Sequence, residues 1–206
     1  MVVGIAPVLI ALLSFILRLA DLGRVKGFIF DEVYYVDGAR DLLKYGVEVA
    51  GSKPEFIVHP PLGKWLIGLG IQVFGDTGFG WRFTTALIGS LMILLIALIA
   101  HRLFRSAVLT ALASALMAID GLALVHSRTA LLDNFLTFFV LLASYLFLTK
   151  RYWWTGFVLG LALATKWSAL YFIITFAAIG FYRAFTHYSG RDLVKPTLAR
   201  IGQFGA

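Results

Sequence analysis

Between Phe83 and Ala100 the chain carries no charged side chain. A run of that length makes a helix able to cross a ~30 Å hydrocarbon core, which takes about 20 residues at 1.5 Å rise. Comparable apolar stretches recur along the sequence. Soluble domains average about 45–50% apolar and about 25% charged residues, whereas this chain is 60% hydrophobic and 14% charged. A globule of 206 residues cannot bury so large an apolar share. The pattern predicts an all-α polytopic membrane protein with about six transmembrane helices, over residues 2–20, 83–103, 106–118, 131–148, 153–165 and 168–185. The short, Gly- and Ala-rich fifth stretch suits the inside of a bundle. Residues 2–20 are expected as a retained helix rather than a signal peptide. They have no positively charged n-region and no small-x-small cleavage site before Asp21. There is no cysteine, which excludes disulfides and thiolate metal sites.

Residues 21–80 differ in character and form the expected first outer loop. They hold eight of the eleven acids. Asp31 to Tyr45 reads as an amphipathic helix, with Val33, Val36, Leu42, Leu43 and Tyr45 between polar positions, and Gly46 as its stop. Val58-His59-Pro60-Pro61-Leu62-Gly63-Lys64 follows. Its prolines lack backbone donors and fix φ, so it makes a rigid corner that can open a helix. Trp65 to Phe74 is apolar but too short to span, and reads as interfacial or re-entrant.

Charge sets the expected topology. If the acids Asp31 and Glu32 lie outside, the inner connections are residues 101–106, 150–152 and the tail after Arg183. These carry eight basic residues against one acid, Asp192. The outer side then holds ten of each sign. The whole net charge of +7 falls on one side, as the positive-inside rule expects. It calls for no nucleic-acid partner.

The charged motifs left on the outer side are candidates for chemistry. Asp31-Glu32 could supply a general base and a supporting acid, since ionisable groups at a membrane face are costly. The plainer reading is a solvated helix N-terminus, where acids are favourable anyway. His59 and Lys64 flank the stiff corner and could wall a cleft, or merely sit in a loop that orients a short helix. Arg128 suits a phosphate because its planar fork makes paired, charge-assisted bonds; the alternative is an Arg128–Asp133 ion pair closing a loop. Arg82 and Lys166 are further phosphate cations, or else interfacial anchors. His101, His126 and His187 read as loop or interface residues.

At this point four motifs stand in order: Phe30-Asp31-Glu32-Val33-Tyr34-Tyr35, Val58-His59-Pro60-Pro61-Leu62-Gly63-Lys64, Arg128-Thr129-Ala130-Leu131-Leu132-Asp133 and Gly160-Leu161-Ala162-Leu163-Ala164-Thr165-Lys166-Trp167. With them the chain resembles the N-terminal part of the protein O-mannosyltransferases of the bacterial polyprenyl-phosphate-mannose type, over most of residues 10 to 190. That family belongs to the GT-C class, multi-span glycosyltransferases that use lipid-phosphate sugars. The resemblance implies a GT-C-type helical bundle of about eleven spans. Only about six are expected here, so residues 1–206 read as the N-terminal part of one GT-C catalytic domain, with interfacial helices in its first outer loop. It also implies a multi-pass protein of the plasma membrane with its active face outward. Mannose would pass from a polyprenyl-phosphate donor to Ser or Thr hydroxyls of exported proteins, in association with the secretion machinery and membrane lipid. Asp31 would be the catalytic base and Glu32 its neighbour in positioning; Arg82 resembles a functionally important family arginine beside the second span.

The chemistry of the residues agrees with that implication. A carboxylate can take the proton of a hydroxyl as its C–O bond forms. A phosphate leaving group needs cations rather than an acid, and Arg128, Lys166 and Arg82 are the candidates. One base opposite the phosphate predicts inversion. A divalent cation on Asp31, Glu32 and Asp133 is the alternative source of charge; with arginine and lysine at hand, no metal or other cofactor is assigned. Three rivals remain. Another GT-C enzyme would glycosylate lipid or glycan; a transporter would show charges in mid-span, and these are nearly absent; a non-catalytic subunit would not need Asp31, Arg128 and Lys166.

Overall fold

The computed structural model describes residues 4–50, 53–54 and 58–187. Glu55, His187 as a side chain, and the tail charges Arg191, Asp192, Lys195 and Arg200 lie outside the described residues. The order of elements is α1 (Ile5–Leu19), α2 (Glu32–Tyr45), β1 (Val49–Ala50), β2 (Lys53–Pro54), α3 (Leu62–Phe74), α4 (Gly78–Phe104), α5 (Ala107–Ile119), α6 (Gly121–His126), α7 (Leu132–Leu148), α8 (Tyr152–Leu163) and α9 (Ala169–His187). The two strands form one short antiparallel ribbon. The chain divides into two compact units, residues 1–169 and 170–206. The second holds nearly all of α9, a single apolar helix.

Local signals set most of the boundaries. Thr77 caps α4 by accepting from Gly80 N, Ser106 caps α5 through Leu109 N, and Asp120 caps α6 through Ala123 N, each satisfying an amide that the first turn leaves free. Gly46 closes α2 at φ 74°, its N–H returning to Leu42 O; only glycine adopts that left-handed conformation without cost. The expected helix over 31–45 and its glycine stop therefore correspond to α2.

In the first unit α4 is the axis, with α1, α3, α5 and α7 packed around it. At 27 residues it is about 40 Å long. Close approach at Gly70 is obligatory, because a β-carbon there would collide with the carbonyl oxygen of Gly80.

The distribution of side chains on the helices decides the medium. On α1 the buried residues are Pro7, Ala11, Ser14 and Arg18, a single stripe at helical spacing. Its Ile5, Leu9, Leu12, Leu13, Ile16 and Leu17 face outward. On α5 only Thr110 and Ser114 are buried, while Val108, Leu112, Leu116 and Ile119 are exposed. Small and polar groups inside with leucines outside is the arrangement of helices in lipid, where apolar side chains gain nothing by packing inward. This is an all-α membrane protein.

Helices occupy all six places expected for spans. Two of them, Gly78–Phe104 and Ala169–Thr186, are long and apolar enough to cross a membrane by themselves. α1, α5, α7 and α8 run for 15, 13, 17 and 12 residues, or about 18–26 Å. Ser106 and Asp120 bound α5 at its two ends.

Candidate active site

The adjacent acids Asp31 and Glu32 have opposite fates. Glu32 is fully buried at the first position of α2. Its Oε1 accepts from Arg82 Nε at 2.7 Å and from the Ala130 amide at 2.7 Å. Its Oε2 accepts from Arg82 Nη2 at 2.6 Å and from the Ile29 amide at 2.8 Å. Four donors fill the carboxylate. Arg82 is equally enclosed: besides Glu32 it donates to the carbonyls of Leu22, Val25 and Gly27. All five guanidinium N–H groups thus have protein partners. Arg82, expected as a phosphate ligand, here binds the segment before α2 to the start of α4, and Glu32 ties it to the segment before α7. Neither residue lines the cavity described next.

Asp31 stands one residue earlier, at the N-cap of α2, and makes no capping bond. It is half-buried. Its Oδ2 accepts from the Tyr35 hydroxyl at 3.4 Å. The preceding Phe30 has φ 54° and is exposed. A left-handed conformation is a true outlier for a bulky residue and stores local strain; it turns the phenyl ring outward at the step where the chain enters α2.

Asp31, Val33, Tyr34, Tyr35, Asp37, Gly38, Glu48, Val58, His59 and Lys64 line a cavity of about 460 Å³ between α2 and the corner at 58–64. Lys64 donates to Glu48 at 2.5 Å, and both are buried. His59 packs against the Tyr35 ring, with centroids 6.1 Å apart. Burial, and then the Lys166 and Lys64 ammonium groups, lower the His59 pKa against the opposing pull of Asp133 and Asp31. The imidazole is therefore uncharged at neutral pH. Burial, then Asp31 and Asp133, raise the Tyr35 phenol, which stays protonated and can donate.

On the other side of His59, Lys166 donates to both oxygens of Asp133 at 2.7 and 2.9 Å. This pair is partly open, with side chains 19% and 39% exposed. The alternative of an Arg128–Asp133 pair is not formed. Arg128 instead donates to the carbonyls of Leu17, Arg18 and Ala20, at the end of α1. The corner is clamped to the end of α8 and the residues after it: Leu62 N donates to Ala164 O at 3.0 Å and Trp167 Nε1 to Val58 O at 2.8 Å. A β-carbon on Gly63 would stand 2.5 Å from Leu132 Cδ2. The four motifs, far apart in sequence, thus meet at one end of the first unit. Among the described residues no three His, Asp or Glu side chains are grouped as metal ligands would be.

Residues 58–203 match the family model of the dolichyl-phosphate-mannose-protein mannosyltransferases. The chain belongs to this family. Relatives include polyprenol-phosphate-mannose–protein mannosyltransferases of Mycobacterium tuberculosis, 39% identical over 83% of this chain and 39% of their own length, and of Mycolicibacterium smegmatis, 39% identical over 73% and 35%. A third, of Corynebacterium glutamicum, is 38% identical over 72% and 35%. The chain therefore spans about two fifths of the length of these relatives.

Within this family member the structure adds two residues to those nominated from sequence. Tyr35 is one helical turn beyond Asp31, a spacing that already puts the two on one face. Glu48 had no such signal; its pairing with Lys64 depends on how the chain returns across the ribbon.

Proposed function

We propose that this chain carries the catalytic base of a glycosyltransferase that moves mannose from polyprenyl-phosphate mannose to Ser or Thr hydroxyls of exported proteins. The names of the relatives support the donor and the protein acceptor. The observation that carries the residue assignment is the contrast at positions 31 and 32. Glu32 is filled by four donors, while Asp31 borders the cavity with one long contact.

In the proposed reaction Asp31 takes the proton of the acceptor hydroxyl as its oxygen bonds to the anomeric carbon. The bond from that carbon to the phosphate oxygen breaks, and the lipid phosphate leaves with the electron pair. Attack opposite the leaving group inverts the carbon. The charge that develops on phosphate is met by Lys166, whose pair with Asp133 is accessible, and by Arg128, which keeps donors beyond its three carbonyl contacts. His59 and Lys64 wall the cavity. Glu32 and Arg82 hold Asp31's segment in place without touching substrate. The excess of basic residues on connections 101–106 and 150–152 supports a multi-pass GT-C bundle with the acid-bearing end facing outward.

The test is transfer of labelled mannose from polyprenyl-phosphate mannose to a Ser/Thr peptide, in membranes carrying the full-length protein. Wild type is compared with Asp31→Asn. Loss of transfer in a folded variant is the expected result. Full transfer by that variant removes Asp31 from the role, and label arriving in glycolipid instead of peptide changes the acceptor class.

A further inference from the structure

We propose that Tyr35 is the positioning residue of Asp31: its phenol holds Oδ2, so that Oδ1 is the oxygen presented to the hydroxyl losing its proton. The inference rests on the reading of Asp31 as the base.

Three observations carry it. First, Asp31 occupies an N-cap yet makes no bond to the helix amides, which is the usual use of such an aspartate. Its carboxylate turns instead to the hydroxyl one turn along α2. Second, the Tyr35 ring cannot follow a wandering carboxylate. It is 5% exposed, lies among buried Val36, Ala39 and Leu42 on the inner face of α2, and packs on His59. Third, both residues line the same cavity, so the contact is made at the place where an acceptor would enter. A separation of 3.4 Å is long for an O–H···O bond; such contacts tighten when substrate closes the site.

The physical consequence is orientation. A carboxylate with one oxygen held loses its rotational freedom about the side chain, which keeps the other oxygen in line with the nucleophile. The phenol keeps its own proton throughout.

The experiment compares full-length wild type with Tyr35→Phe, which removes only the hydroxyl, in mannosyl transfer to a Ser/Thr peptide. kcat, counted per folded molecule, should fall several-fold, with KM for lipid donor and peptide unchanged. The same substitution is made in an Asp31→Asn background, where it should cost nothing further, because no carboxylate is left to hold. Unchanged kcat in Tyr35→Phe overturns the inference, as does an equal fall in the Asp31→Asn background, which is what a purely structural role of the ring predicts. If Asp31→Asn itself retains transfer, the function reading fails rather than this one.

Discussion

The two carboxylates at the start of α2 are neighbours in sequence and opposites in environment. Glu32 is fully buried with two bonds to each oxygen. Asp31 is half-buried with one long contact. Consecutive helical side chains diverge by about 100°, so one faces the segments before α2 and α7 while the other faces the cavity. What separates the structural acid from the proposed base here is the number of donors the fold aims at it. A filled carboxylate has no lone pair left for a substrate proton, and an underfilled one does.

The contrast breaks most sharply in the two amide variants. Asp31→Asn should lower mannosyl transfer by about 10²–10⁴-fold, the usual share of a general base, with the thermal midpoint in detergent unmoved. Glu32→Gln should do the reverse. It leaves Arg82 buried without its counter-charge, and breaking a buried pair costs about 3–5 kcal/mol. The expected readout is a large drop in the thermal midpoint, with the pH profile of whatever remains folded unchanged. A Glu32→Gln protein of wild-type stability but without transfer would exchange the two roles.

A second pair sharpens the same comparison at lower cost to the fold. Lys166–Asp133 is an ion pair like Glu32–Arg82, but its side chains are 19% and 39% exposed against 0% and 1%. Solvent already screens it, so Lys166→Met should change stability by less than about 1 kcal/mol. Its effect should appear in function. A charge-assisted bond contributes about 1.5–3 kcal/mol, so KM for the lipid donor should rise tenfold or more. A Lys166→Met protein with unchanged donor KM would remove Lys166 from the phosphate and leave Arg128 as the candidate.

Part of this was readable from the chain alone. α2 and its Gly46 stop follow from apolar spacing and from glycine's tolerance of positive φ. That the four motifs lie on one side follows from the distribution of charge along the chain. Hydrogen-bond partners across the fold did not follow. Three of Arg82's partners are carbonyls between Leu22 and Gly27, and any residue type offers a carbonyl, so no sequence signal marks them. Proximity in sequence favoured Arg128 with Asp133, but Arg128 reaches back to the end of α1 and Asp133 takes its cation from beyond α8. Glu48 with Lys64 was hidden for the same reason: the ribbon that brings them together has no strong pattern of its own.

The smallest expected effect lies where the loop before Asp31 is held from outside. The Arg40 guanidinium lies 5.4 Å from the Phe28 ring and 5.3 Å from Trp81, and it pairs with Asp76 and Asp37. Trp81 Nε1 donates to Asp76 at 2.5 Å. Burial works against the Asp76 charge, but the Arg40 and Trp81 hydrogen bonds outweigh it and hold its pKa below the usual aspartate value. A group whose folded pKa is depressed adds stability above its unfolded pKa and loses it as pH falls through the folded one. Because Asp76 is about half exposed, that contribution should stay below about 1 kcal/mol. The thermal midpoint of wild type minus that of Asp76→Asn should therefore be small and positive at pH 7, flat down to about pH 5, and should shrink toward zero as the pH falls through the depressed folded value. A difference that grew toward acid would mean that the clamp does not depend on the Asp76 charge. The stacking of Phe28 and Trp81 on Arg40 would then be what holds the entry to Asp31, and Arg40→Lys, which keeps the charge but loses the planar face, would become the variant that loosens it.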